Sequence, residues 1–303
     1  MGLIQCTNVC KSFGEKVALD NVSVDIPKGK IFGLLGPNGA GKSTTMNMIC
    51  AIVRPTAGSV ELLGKNPWKQ KKDVIHKIGY IPQELAIHGK LRAWENVELF
   101  TSLYGIKGAQ LKAAVNSSLE YVGLLDRRQE FAKNFSGGMK RRLNIACAIG
   151  HNPELLIFDE PTVGIDPQSR NFILEKIKES NRNGATVIYT SHYMEEVEAI
   201  CTRIAIMDNG KIIACGTSEE LSILDDLSEL IDEARETNDQ AVRTELYEEA
   251  MGYILDLAVE LPVYQRSVLY AYNSKVIDSD SISEEINPYS SPLDRIWEIE
   301  FAA

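Results

Sequence analysis

No apolar run in this 303-residue chain approaches 18 residues, so no segment is expected to cross a membrane as a helix. The N-terminus lacks a basic stretch followed by an apolar one, and no secretory signal is expected. Leu3-Ile4-Gln5-Cys6 has a faint likeness to a lipoprotein cleavage box, but nothing precedes it that could insert. Cysteine is sparse. Cys6, Cys10, Cys50, Cys147, Cys201 and Cys215 form no CxxC pair and sit in apolar or strand-like segments, which points to buried thiols in a reducing compartment rather than to metal or disulfides. Of the four histidines, His76, His88 and His151 have no carboxylate or cysteine at ligand spacing and are expected at the surface or in loops. The basic run Lys69 to Lys72 reads as a solvated face, and no nucleic-acid partner is expected.

What is present describes an ordinary globular protein: 44% apolar and 24% charged residues exclude collagen-like, low-complexity and wholly disordered classes. The net charge of −10 conceals a split. Of 42 acidic and 32 basic side chains, 19 and 5 fall in 221–303, a balance of −14 there against +4 in 1–220. Six of the 11 tyrosines also lie in that last quarter. The shift predicts a boundary near 220.

In the first part, residues 3–9 and 17–26 alternate like strands, with turns at Gly14 and Pro27-Lys28-Gly29. Ile31-Phe32-Gly33-Leu34-Leu35 is a short apolar run, as in a buried parallel strand. It leads into Gly36-Pro37-Asn38-Gly39-Ala40-Gly41-Lys42-Ser43 and then a helix-compatible stretch from Thr44 to Ala51. The octet matches GxxxxGK[ST] in strand–loop–helix context. Its glycines let backbone N–H groups wrap phosphates at a helix N-terminus. Lys42 would neutralise β- and γ-phosphates, and the Ser43 hydroxyl would ligate Mg²⁺. A second apolar strand, Leu155-Leu156-Ile157-Phe158, ends in Asp159-Glu160. Carboxylates at the C-terminal end of a parallel strand face the ligand crevice of an open α/β sheet. Asp159 suits the Mg²⁺ shell, and Glu160 suits polarisation of the attacking water. These elements predict a nucleoside triphosphatase without saying which. Phe135-Ser136-Gly137-Gly138-Met139-Lys140-Arg141-Arg142 then opens a helix with a second anion-binding turn. A single nucleotide does not need two such sites, so a site completed in trans is expected. The competing reading is a serine N-cap followed by a basic, solvent-facing helix.

On these residues the chain resembles the ATP-binding cassette family over about 2–220. The phosphate loop, Ser136-Gly137-Gly138, Asp159-Glu160, Gly164-Ile165-Asp166, and His192 after the strand 186–190 occur in that family's order. The resemblance implies ATP as nucleotide and a head-to-tail dimer with two ATPs at the interface. It implies that Phe13 stacks on adenine, that Thr44 joins the phosphate loop, and that Gln83 couples metal and water. By the same likeness His192 contacts the γ-phosphate and Asp166 communicates across the dimer. The common signature Leu-Ser-Gly-Gly-Gln is altered at Phe135 and Met139, which resembles the exporter subgroup of the daunorubicin-resistance type. Residues 92–104 and 110–123 read as helices, within a helical subdomain of about 84–150 that in the family meets an integral-membrane permease. The expected fold is α/β: a P-loop NTPase core with a parallel sheet, an N-terminal antiparallel β subdomain, a helical signature subdomain, and an α+β tail.

In the tail, 221–236 and 241–260 read as acidic amphipathic helices, 268–272 and 296–301 as strands. Segments such as 230–239, 245–250, 261–264 and 270–273 resemble the C-terminus of oligopeptide-binding proteins of peptide importers. The hundreds of residues that complete such a protein's two lobes are absent, so a join of two unrelated coding segments is expected, with a divergent exporter tail as the alternative. The chain as a whole is expected to be the ATP-hydrolysing subunit of an exporter-type transporter, cytoplasmic and peripheral on the inner face of the cell membrane. A soluble cassette ATPase of translation or DNA repair is the alternative.

Overall fold

A computed structural model describes residues 2–222, together with Val242 and Leu246. Apart from these positions, the helices, strands and peptide-binding likeness expected in the tail lie outside the described residues. Residues Met1–Ser218 pack as one compact unit, to which the following applies.

Strands β1 (Ile4–Phe13) and β2 (Lys16–Ile26) form an antiparallel pair joined at Gly14-Glu15, where Gly14 has φ 60°. β3 spans Ile31–Leu35, and β4 (Ala57–Leu62) pairs with the other edge of β1, giving a small antiparallel sheet in the order β2-β1-β4. Alternation sets its faces at first, with Ile4 and Cys6 buried and Gln5 not, as a period of two requires. An irregularity between Cys6 and Val9, with Asn8 at φ 47°, then shifts the phase so that Val9 is buried and Asn8 exposed. The larger sheet comprises β3 with β5 (Ile78–Ile81), β6 (Leu155–Asp159), β7 (Thr186–Ser191), β8 (Arg203–Asp208) and β9 (Lys211–Gly216), in the order β5-β6-β7-β3-β8-β9. Its first five strands run parallel. β9 returns antiparallel to β8, because Asn209-Gly210, with φ 45° and 78°, makes the tight turn that closes a hairpin. The expected parallel sheet is therefore a mixed one at this edge.

Every residue of β6 and β7 is buried, which explains the apolar runs 155–158 and 187–189: a strand covered on both faces has no solvent side to alternate with. The buried polar residues at the strand ends are hydrogen-bonded. Helices α1 (Lys42–Ile49), α2 (Lys71–Ile75), α6 (Pro167–Arg182) and α7 (Met194–Ile200) accompany the sheets. Helices α3 (Ala93–Ser102), α4 (Gly108–Tyr121) and α5 (Gly137–Ile149) pack on one another as the helical region. That region is tied back to α6 by the Tyr121 hydroxyl, which hydrogen-bonds Lys176 O and Ser180 Oγ. Among the described residues no helix is long and apolar enough to cross a membrane.

One expectation about scarce residues changes. Cys6, Cys50 and Cys147 are buried, and burial pushes the Cys6 and Cys50 thiols up to about 12, but Cys215 is exposed. His151 lies in a turn, as expected, but is partly buried and paired there. It follows α5 where the chain turns back under β5, its Nε2 lies 3.0 Å from Ile78 O, and its ring stacks on Tyr104 with centroids 3.5 Å apart. Burial lowers its pKa from 6.5 to about 4. Between those values the unfolded chain takes up a proton that the folded chain refuses, so stability falls as pH drops from above 6.5 towards 4. His151→Phe keeps the stacking and removes the titration. Its urea midpoint should fall less between pH 7 and 5 than that of the parent. Equal slopes would show that His151 does not contribute to the acid limb.

Candidate active site

The order of the parallel strands decides which residues meet. β5, β6, β7 and β3 are neighbours, and their registers align Ile81 with Phe158, Asp159 with Thr190, and Ser191 with Leu35. The segments that leave their carboxyl ends therefore lie side by side: Gln83 after β5, Asp159-Glu160 at the end of β6, His192 after β7, and the glycine loop after β3. This is the crevice position of an open α/β sheet.

The loop needs glycine where the backbone passes close to a neighbour or turns left-handed. A Cβ on Gly36 would stand 2.1 Å from Met207 O. Gly41, at φ 107°, would place one 2.6 Å from Leu19 Cδ2. Between them Pro37, Asn38 and Gly39 are exposed and Ala40 is buried. Lys42 opens α1 and is 5% exposed. Its ammonium donates to Gly36 O at 2.6 Å and Pro37 O at 3.1 Å, and lies 3.1 Å from Glu160 Oε1. Ser43 is exposed and its hydroxyl is 3.4 Å from Asp159 Oδ1, with Thr44 behind it.

Glu160 is 5% exposed and has φ 46°, a left-handed conformation that a non-glycine residue adopts at a cost. Its N–H donates to Thr190 Oγ1 at 3.0 Å. Its Oε2 accepts from Gln83 Nε2 at 3.1 Å and lies 3.6 Å from His192 Nδ1. Asp159 accepts from Thr190 Oγ1 at 2.8 Å and from the Tyr80 hydroxyl at 3.2 Å. Burial, with Asp159 beside it, raises the Tyr80 pKa and keeps its phenol a donor. Ser43, Asp159 and the amide oxygen of Gln83 are hard donors suited to Mg²⁺. Among the described residues no group of three His, Cys, Asp or Glu could hold a metal alone, which suits an ion bound mainly through substrate phosphates.

A second cluster stands apart from this one. Ser136 caps α5 and accepts from Met139 N at 3.3 Å, while Asp166 caps α6 and accepts from Ser169 N at 2.9 Å. That backbone hydrogen bond is the main reason the Asp166 carboxyl lies below its ordinary range. Gly137 is exposed. Gly138 is buried, and a Cβ there would stand 2.0 Å from Ser169 Oγ. Among the described residues no hydrogen bond or ion pair joins Ser136, Gly137, Gly138 or Asp166 to the lysine–carboxylate group. Phe13, at the end of β1, is 51% exposed, with Lys11 Nζ 4.8 Å above its ring.

The family model described as "ABC transporter" matches residues 19–163. Over 219 residues the chain is 50% identical to the linearmycin resistance ATP-binding protein LnrL of Bacillus subtilis, covering 72% of this chain and 70% of that one. Over 219 residues it is 37% identical to the Nod factor export ATP-binding protein I of Cupriavidus metallidurans, covering 72% of each. The chain belongs to the ABC transporter family. Two solved structures agree with this ABC assignment. One is an ATP-binding subunit of an ABC transporter, with TM-score 0.65 and 27% identity over 82% of this chain and 99% of that one. The other is an ATP-binding cassette dimer in a post-hydrolysis state with ADP and Pi, with TM-score 0.64 and 27% identity over 71% and 98%. The protein is thus an ATP-binding and ATP-hydrolysing ABC subunit with the expected P-loop α/β fold.

Sequence reading of this ABC domain missed three supports. Thr190 bridges Asp159 and Glu160, but only the pairing of β6 with β7 reveals it. Tyr80 was visible merely as a strand residue. Arg141 looked like part of a basic, solvent-facing helix, yet it is 5% exposed and donates to Pro82 O at 2.8 Å and Gln83 O at 2.6 Å. Helical spacing offered a signal for it, since Gly138, Arg141 and Ile145 share one face. Thr190→Val keeps the shape but leaves the buried Glu160 N–H without its partner. Denaturant unfolding should record a loss of about 1–3 kcal/mol, with turnover down about 10-fold or more as Glu160 shifts. Thr190→Ser should retain both. A valine variant of unchanged turnover would remove Thr190 from the site.

Proposed function

We propose that this chain binds Mg·ATP, pairs with a second copy around two nucleotides, and hydrolyses them to drive a separate integral-membrane permease of the exporter type. The observation that carries the catalytic part is the convergence of buried Lys42, Glu160 and Asp159, with exposed Gln83 hydrogen-bonded to Glu160, on one crevice end. Lys42, with the backbone N–H groups of residues 38–44, takes the β- and γ-phosphates, and Phe13 offers its free face to adenine. Mg²⁺, held by Ser43, Gln83 and Asp159, supplies charge neutralisation on the phosphates when bound. Glu160, oriented by Gln83 and by its own N–H bond to Thr190, accepts a proton from the attacking water. His192, beside Glu160, meets the γ-phosphate. The exporter reading, and the daunorubicin-resistance subgroup within it, are supported by Met139 in the signature and by relatives named for resistance and for Nod factor export. Such a chain works at the inner face of the cell membrane.

A second copy is supported by the separation of the Ser136 and Asp166 cluster from the phosphate loop of its own chain. Ser136, Gly137 and Gly138 then cover the γ-phosphate of the partner, and Asp166 lies at the interface. Glu160→Gln should slow hydrolysis by roughly 10²–10⁴-fold, the usual worth of a positioned base. It should also hold ATP at least as well as the parent, because Lys42 loses a competing carboxylate. Light scattering should find an ATP-dependent dimer of this variant, and Ser136→Arg added to it should return an ATP-bound monomer. Unchanged turnover would remove Glu160 from the base role. Loss of ATP binding by the Ser136→Arg monomer would place Ser136 in its own chain's site.

For residues 221–303 we propose a domain boundary near 220 and a displaced fragment of an oligopeptide-binding protein, supported by the segment likenesses and by the charge and tyrosine shift. Truncation after Glu220 should leave ATP turnover and ATP-dependent dimerisation intact. Loss of dimerisation would favour a divergent exporter tail instead.

A further inference from the structure

Behind the phosphate-facing residues lies a polar cluster centred on Glu196 in α7, which is 4% exposed. Its Oε2 accepts three hydroxyls: Thr162 Oγ1 at 2.8 Å, Tyr189 OH at 2.7 Å and Ser191 Oγ at 3.0 Å. Its Oε1 lies 3.2 Å from Arg170 Nε in α6. A carboxylate so deeply placed is costly unless paired and hydrogen-bonded, and here both conditions are met. Arg170 and Glu196 form a charge contact rather than an aligned hydrogen bond. The guanidinium therefore remains able to pack against an aromatic ring, and its Cζ lies 5.4 Å from the Tyr193 centroid, within cation–π range.

Tyr193 in turn lies 4.0 Å, ring to ring, from His192. His192 sits in the short link between β7 and α7. Its polar and ring contacts among the described residues are Glu160 Oε2 and Tyr193. Tyr193 is held at its own backbone, its N–H donating to Ser191 Oγ at 3.0 Å. At the other end, Arg170 stands one helical turn from the cap of α6, its N–H donating to Asp166 O at 2.9 Å. Thr162 brings in the segment two residues beyond Glu160.

We propose that the Arg170–Glu196 pair and the Tyr193 ring form a positioning strut that sets the His192 imidazole against Glu160 and ties it to the helix capped by Asp166. Arg170 and Tyr193 are positioning residues; neither touches nucleotide. The inference rests on the reading of Glu160 and His192 given above. Its consequence is directional. A displacement of α6 at the Asp166 end moves Arg170, and with it the ring on which His192 leans. Contact with a second copy at Asp166 thereby reaches the hydrolytic site of the same chain.

The test uses the full chain with His192→Ala, Tyr193→Leu, Tyr193→Phe and Arg170→Met. It reads ATP turnover at saturation, nucleotide affinity, thermal midpoint and the imidazole ¹H–¹⁵N signals, with that of His192 assigned from its absence in His192→Ala. Arg170→Met strips a buried carboxylate of its cation and risks misfolding. Tyr193→Leu, at a residue 40% exposed, keeps the inference testable. Tyr193→Leu and folded Arg170→Met should lower kcat about 10-fold to 100-fold, leave nucleotide affinity within about 2-fold, and shift the His192 signal, while Tyr193→Phe restores kcat. Normal kcat in Tyr193→Leu, or loss of kcat with the His192 signal unmoved, would overturn the strut. Normal kcat in His192→Ala would overturn the underlying reading of His192, a result distinct from the first.

Discussion

The alignment of four parallel strand ends is the constraint on which the rest of the structure depends. Gln83, Asp159-Glu160, His192 and the glycine loop come from segments up to 156 residues apart in sequence, and no two of these segments are held together by local structure. They meet because β5, β6, β7 and β3 are adjacent and in register. A slip of one residue in any pairing would turn a carboxylate from the crevice into the core. The fully buried faces of β6 and β7 oppose that slip, since it would part the already buried Asp159 from the Thr190 and Tyr80 hydroxyls.

Around that frame the charges restrain one another. Lys42 and Glu160 are both nearly inaccessible and 3.1 Å apart. Neither could be buried alone, because an unpaired charge at such a site costs several kcal/mol. Each is also satisfied elsewhere, the lysine by two loop carbonyls and the glutamate by Gln83, with its own N–H on Thr190. The left-handed backbone at Glu160 fits this picture. The strain is offset by the hydrogen bond to Thr190, which simultaneously orients Asp159. On the proposed reading, a phosphate chain entering the loop would offer Lys42 a second anionic partner and free Glu160, so that binding and preparation of the proposed base would be one event.

The glycine loop and the carboxylate strand end were legible because each chemistry demands a residue type at fixed local spacing, whereas the readings of Ser136-Gly137-Gly138 and His192 came from the family's order of motifs. The β8–β9 hairpin was legible in principle through Asn209-Gly210, whose left-handed preference closes the turn. Thr190, Glu196 and Arg170 were not legible. Their roles rest on contacts between residues 26 to 34 positions apart, and hydroxyls and salt-bridge partners have no motif of their own. The partner of His151 was illegible for the same reason: it is a backbone carbonyl, which any residue at position 78 would supply.

The signature illustrates how a motif tolerates change when backbone carries its chemistry. Ser136 Oγ takes the Met139 N–H, and Ser136 O takes that of Lys140. The N–H groups of Gly137 and Gly138 stay outside the helical ladder, as the first turn of any helix leaves them. Gly137 is exposed, and Gly138 is pinned on Ser169 so closely that no Cβ fits. The positive end of α5 is therefore presented by backbone alone. The Met139 sulfur stands 4.0 Å from Arg127 and takes no part in that presentation. Replacement of the common glutamine by methionine removes a side-chain amide and leaves the anion-directed N–H groups where they were.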